Sequence, residues 1–233
     1  MSSHTSSSGT EPDTSSSEHH VESPGKRTRI RGPENRAKFR DQILAEAKHI
    51  YATDGYEAVS VRAVTKAVGI SPMAFYGYFS SKQDLVKYIW SDFFQELHEA
   101  MSAAALHKRS PQARLKAHIE AYLEYWETHP ERYRMVYLVP TGLEDGERIR
   151  FDEEDSITSQ LLALSLQRVS ECVEGGSCSA EDIKLKADLM FVKALGYLHG
   201  VLTVGRYPFD NVERLREWVV DDIIAGIERM NAH

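Results

Sequence analysis

Between Ser60 and Phe79 the chain reads SVRAVTKAVGISPMAFYGYF, and the chemistry on offer there is recognition rather than bond-breaking. Two short stretches flank Val68-Gly69-Ile70 with the spacing of a helix-turn-helix, whose second helix is built to enter a DNA major groove. Glycine suits the turn because a side chain would resist positive φ there. Ala63, Val64, Ala67, Val68, Ile70, Phe75 and Phe79 are expected to pack inward. Arg62, Thr65, Lys66, Pro72, Met73, Ala74, Tyr76, Gly77 and Tyr78 are left facing outward. The sequence holds no glycine-rich phosphate loop, no Gly-x-Ser-x-Gly elbow and no His-Glu-x-x-His, so no enzyme is expected. His118, His129 and His199 lack metal-ligand spacing, and neither a metal nor a cofactor is expected. Cys172 and Cys178 read as inert thiols in preference to a redox switch, and Asp152 to Asp155 as a solvated helix start.

The elements that must hold this motif are helices throughout, and the expected fold is all-α. Ile43, Leu44, Ala47, Ile50 and Tyr51 recur at three- and four-residue steps, predicting an amphipathic helix that ends near Asp54-Gly55. Ser60 caps a short helix, Val61 to Val68. Ser71-Pro72 opens the next, expected to run through Phe79. Ser81 caps a long helix from Lys82 to about Leu106, Ser110-Pro111 one to about Thr128, and His129-Pro130 a short one. Pro140, Gly142 and Gly146 mark 139–155 as a loop, with a helix after it to about Glu174. Gly175-Gly176 is a break, and Ser179 with Asp182 resembles a capping box. Two more helices follow, at about 180–205 and 211–230.

The net charge of −7 conceals a sharp division. Residues 1–24 carry −4, residues 25–87 carry +6 and residues 88–233 carry −9. A basic head on an acidic body suits a protein whose head alone meets phosphate. Residues 1–24 are Ser-, Thr-, Glu- and His-rich and read as disordered; Lys26 to Arg40 read as a basic arm that wraps DNA or as a solvated linker. No apolar run is long enough for a membrane span, no signal sequence is evident, and only two cysteines occur. A cytoplasmic setting is therefore expected.

Tyr56 to Val59, Ser60-Val61-Arg62, Gly69-Ile70-Ser71, Phe75-Tyr76, Tyr78-Phe79 and Ser81-Lys82-Gln83-Asp84-Leu85 together resemble the TetR family of transcriptional regulators. The resemblance covers about 37–97, with a looser fit beyond. It implies a tail with a basic arm over 1–36, a DNA-binding head over 37–97 and a ligand-binding, dimerising body over 98–233. Ser60, Thr65, Tyr76, Tyr78 and Lys82 are then expected at phosphates, with Arg62 at phosphate or a base edge. Ser71, Pro72, Met73, Ala74 and Gly77 complete the DNA-facing set. None of Pro72, Met73, Ala74 and Gly77 offers a bidentate hydrogen bond, so specificity should lean on thymine methyls, Arg62 and DNA shape.

The body is expected to pair two copies and to hold an effector. Leu189 to Val204 is apolar nearly all round, with Gly196 and Gly200 on one face. Those glycines, with Leu215, Val219 and Ile223 on the last helix, are the expected homodimer interface. The resemblance implies a cavity among the middle helices, with Phe94, His98, Met101, Tyr122, Trp126, Tyr137, Leu162, Phe191, Leu195 and His199 as its expected lining. Their chemistry suggests a largely apolar small molecule with His98 or His199 as polar handle. The partners expected are double-stranded operator DNA, that effector and a second copy. A repressor is expected in preference to a regulator governed by a partner protein.

Overall fold

The computed structural model describes residues 33–138, 156–173 and 178–229, and among these every regular element is helical. The order is α1 (Pro33–Asp54), a 3-10 turn (Tyr56–Ala58), α2 (Val61–Val68), α3 (Pro72–Phe75), α4 (Lys82–Ala105), α5 (Pro111–Thr128), α6 (Pro130–Tyr137), α7 (Ile157–Cys172), α8 (Ala180–Thr203) and α9 (Val212–Arg229). The expected tail and arm up to Arg31, the 139–155 loop with Asp152 to Asp155, and Gly175-Gly176 lie outside the described residues.

Serine side chains start most of these helices by accepting from an amide three residues on, which satisfies one of the orphan donors of the first turn. Ser60, Ser71, Ser81 and Ser110 do so to Ala63, Ala74, Asp84 and Ala113. Ser179 and Asp182 form the reciprocal capping box that their spacing predicted. Gly69 closes α2 at φ +76°, the left-handed region, and a Cβ there would meet nothing within 4 Å. Gly69→Ala therefore tests backbone strain alone: it should cost about 1–2 kcal/mol, read as a lower urea midpoint at unchanged slope.

Two local expectations are corrected. The second helix of the motif stops at Phe75 rather than Phe79, because Gly77 and Tyr78 tighten into bonds to the carbonyls of Ala74 and Phe75, three residues back. Ala67 is exposed, while Thr65 is 3% exposed and its hydroxyl donates to the Arg62 carbonyl at 3.2 Å. Thr65 shares a face with the buried Val64 side of α2, so its hydroxyl does not face a phosphate as expected.

α1 packs on α2 and on α4, and α2 on α3, around a shared core that includes Ile43, Ala47, Val64, Phe75, Phe79, Leu85 and Ile89. A Lys48–Asp92 ion pair joins α1 to α4. α4 then continues unbroken past residue 97 into the body, where α5 and α7 pack along it and α8 pairs with α9. Glu127 on α5 accepts from Tyr197 on α8 at 2.6 Å and ion-pairs with Arg216 on α9 at 3.1 Å. Lys186, buried on α8, donates to the Ile227 carbonyl at 2.9 Å, placing a cation at the negative end of the α9 dipole.

Candidate functional site

The head presents its chemistry on one surface. Met73 is 81% exposed, and Ser71, Pro72, Ala74, Tyr76 and Gly77 are exposed beside it. Arg62 and Lys66 are exposed on α2. Ser60 spends a lone pair on the Ala63 amide but retains a hydroxyl proton that can be donated to an anion. Tyr78 is half-buried, with its ring 5.4 Å from Phe39. Lys82 lies 4.2 Å over the Tyr56 ring, and burial lowers its amine below the ordinary lysine value.

Two arginines assigned by sequence to the basic arm belong to this surface. α1 begins at Pro33, so Arg36 and Arg40 sit one helical turn apart on it rather than on an unstructured lead. Arg36 donates to the Gly77 carbonyl at 2.6 Å and lies 5.8 Å from the Tyr78 ring centre. Arg40 lies 3.9 Å over Tyr88. Phe39 between them was the available signal, since it extends the apolar period of α1 one turn upstream of Ile43. These cation–π contacts hold guanidinium groups in place beside the recognition turn at about 0.5–1 kcal/mol each.

The body holds a half-open cavity of about 460 Å3 between α4, α5, α6, α7 and α8. Phe94, Met101, Tyr122, Tyr137, Leu162 and Phe191 line it as expected. Four other expected residues do not. Trp126 stands behind the wall, fully buried, with its ring 5.4 Å from Tyr137 and edge-on. His98 and Leu195 each follow a lining residue, Leu97 and Ala194, and the turn of about 100° per residue carries them off the cavity face. His199 is exposed on α8. The polar groups supplied by the structure are His118, Ser165, Thr158, Asp188 and the Tyr122–Tyr137 hydroxyl pair. Sequence spacing sets His118 aside as a metal ligand and does not place it at the cavity; Tyr122 one turn further along α5 is the signal that it shares the cavity face.

His118 Nε2 lies 3.2 Å from Ser165 Oγ. Burial, with Arg168 and His98 nearby, depresses the imidazole to about 3. The folded chain thus keeps His118 neutral where an unfolded histidine near pH 6.5 would take a proton. Stability from this site is complete above about pH 6.5 and falls by about 1.4 kcal/mol per pH unit below it. Urea midpoints measured from pH 7 to pH 5 should decline, and His118→Gln should flatten that decline. Burial also raises Tyr137 to about 12 and Tyr122 well above its usual value, so both hydroxyls stay protonated. Cys172 is buried, and burial raises its thiol to about 11, which suppresses the reactive thiolate.

The expected dimer face is partly redrawn. Gly196 is exposed with open space where a side chain would stand, and Leu215 and Val219 are half-buried. Gly200 faces Phe209 of its own chain, 3.5 Å from a built Cβ. Ile223 is only 2% exposed, because its period aligns it with Val220 and Ile227 in the protomer's own core, so it is not available to a partner. Leu189 and Val192, within the apolar stretch expected to dimerise, are exposed, as are Leu185 and Trp218, which the sequence did not single out.

Comparison with known proteins agrees with this layout. Residues 43–89 match the model of bacterial regulatory proteins, tetR family. The transcriptional activator FasR of Mycolicibacterium smegmatis is 26% identical over 102 residues, 44% of this chain and 47% of FasR. The transcriptional regulator TcmR of Streptomyces glaucescens is 32% identical over 69 residues, 28% of this chain and 30% of TcmR. The chain thus spans less than half the length of either curated relative it matches. The crystal structure of a regulatory protein, SCO4313, shares the fold at 20% identity with a TM-score of 0.62, covering 84% of this chain and 99% of that one. No helix among the described residues is long and apolar enough to cross a membrane.

Proposed function

We infer that this chain, whose head belongs to the TetR family of bacterial regulatory proteins, is a DNA-binding transcriptional regulator that acts as a cytoplasmic homodimer and answers to a small, largely apolar effector. The observation that carries the reading is that one helix, α4, joins the outward recognition turn at its first residues to the cavity at its last turns. Two heads related by a two-fold axis read a palindromic operator whose half-sites lie about 34 Å apart. An effector that favours a different spacing of the heads loosens that grip, and the regulator acts as a repressor released by its ligand.

FasR is described as an activator, and the opposite direction of control is the second reading. Effector that strengthens operator binding would establish it. Control by a partner protein alone is disfavoured by the aromatic-walled cavity, which such a regulator would not need.

Selection of random DNA by the purified protein, sequenced at a stated salt concentration, tests the reading. An enriched palindrome supports it, and a folded dimer that enriches nothing removes it. Arg62 is the one exposed side chain at the motif with a planar guanidinium fork for a bidentate base contact. Arg62→Ala should lower operator affinity about tenfold to a hundredfold and relax preference at one position per half-site. Uniform weakening across all sequences would assign Arg62 to phosphate instead.

A further inference from the structure

We propose that the effector is an uncharged, flat ring compound carrying a hydroxyl or carbonyl oxygen, and that two neutral side-chain pairs on α5 and its neighbours hold that oxygen. The proposal rests on the reading of the cavity as an effector site. The first pair is Tyr122 on α5 and Tyr137 on α6, whose hydroxyl oxygens stand 3.2 Å apart. One hydroxyl donates to the other, and the acceptor keeps its own proton for a third oxygen. The second is His118 on α5 with Ser165 on α7, 3.2 Å apart.

His118 lines the cavity, is 1% exposed, and its Nδ1 has no hydrogen-bond partner among the described residues. A buried polar nitrogen in that condition costs about 1–3 kcal/mol, which a ligand oxygen would offset once the imidazole shifts toward the cavity. The pair also adapts. If Ser165 donates to Nε2, then Nδ1 carries the proton and suits a carbonyl; if Nε2 donates to Ser165, then Nδ1 accepts from a hydroxyl.

His118 and Tyr122 are four residues apart, so the two pairs form a polar strip one turn long on a largely carbon-lined wall. Every anchor in that strip is neutral: the tyrosines stay protonated, and burial keeps the imidazole unprotonated at physiological pH. The carboxylate at the cavity edge, Asp188, is already held by Lys184 at 2.5 Å. A carboxylate or phosphate seated on the strip would give up its hydration for neutral partners, a costly exchange. Phe94, Phe191 and the two tyrosine rings supply aromatic walls, with Tyr122 and Phe191 edge-to-face at 6.3 Å, an arrangement that favours ring compounds.

The test uses three matched probes, naphthalene, 2-naphthol and 2-naphthoate, titrated calorimetrically into the full chain at pH 7. We expect 2-naphthol to bind about tenfold tighter than either of the others. Tyr122→Phe and Ser165→Ala should each narrow that preference, with helical circular dichroism retained. Equal binding of naphthalene and 2-naphthol would overturn the polar anchoring and leave the effector cavity standing. Tighter binding of 2-naphthoate would overturn the neutral-ligand assignment. A preference that survives both substitutions would overturn the residue assignment. Failure of all three probes to bind would overturn the effector-cavity reading and this proposal with it.

Discussion

Val192→Glu is expected to convert the proposed dimer to folded monomers and to weaken operator binding by about a hundredfold or more. Val192 is 61% exposed in the single chain, within a stripe of Leu185, Leu189, Val192 and Gly196 that runs along α8 at three- and four-residue steps. Trp218, 60% exposed, stands on α9, the helix paired with α8. Such faces on a two-helix layer match a second copy of themselves, and in an isologous contact every substitution is introduced twice. A carboxylate buried there without a partner costs about 3–5 kcal/mol. Because the residue is exposed in the protomer, the fold itself should survive. Loss of the dimer separates the two heads, and each then holds one half-site without the gain from being linked to the other. Sedimentation velocity and an operator titration on the same sample check both halves. A dimer that persists with unchanged operator affinity would place the interface elsewhere.

Trp126→Ala should lower the stability of the body by about 3–5 kcal/mol. Trp126 is fully buried, and its ring meets Phe94 at 6.3 Å, Tyr122 at 6.4 Å, Tyr133 at 6.0 Å and Tyr137 at 5.4 Å, all near edge-on. Its removal takes away a large apolar surface and the ring that backs three lining residues of the cavity. For a chain of this size the melting temperature should drop by about 6–20 °C. A loss under about 1 kcal/mol would mean that the neighbouring rings close over the gap. In that case the cavity should shrink and its aromatic probes should bind more weakly.

Helix starts were legible because a single side chain announces them. Ser60, Ser71, Ser81, Ser110 and Ser179 each precede a periodic run, and each one accepts the amide bond that its position implies. Helix facing was legible only where the period is clean. α2 misled at Thr65, a residue that is polar in type yet buried, because a β-branched side chain can satisfy its hydroxyl on the preceding turn. The cavity was legible as a region, not as a residue set. Phe94 and Tyr122 belong to it while Trp126 backs it, and aromatic type alone cannot separate wall from lining. The difference is set by the crossing of α5 with α4 and α6, which no local pattern encodes. Ile223 failed for the same reason: α9 is apolar toward α8 and exposes Trp218 on another face, so its stripe belongs to the protomer before it belongs to a dimer.

The unbroken course of α4 has a mechanical consequence. Its 24 residues include neither glycine nor proline, so it has no natural bending point between the cavity and the head. Lys82 and Met101 are about 28 Å apart along the axis at 1.5 Å per residue. A tilt of about 5° imposed at the Met101 end moves the Lys82 end by about 2.5 Å, and two levers related by the two-fold axis of the proposed dimer change the span by about 5 Å, more than the roughly 3.4 Å rise of one base step. Under the proposed function, an effector would need to displace only a fraction of a side-chain diameter at the cavity to put the two heads out of step with the groove.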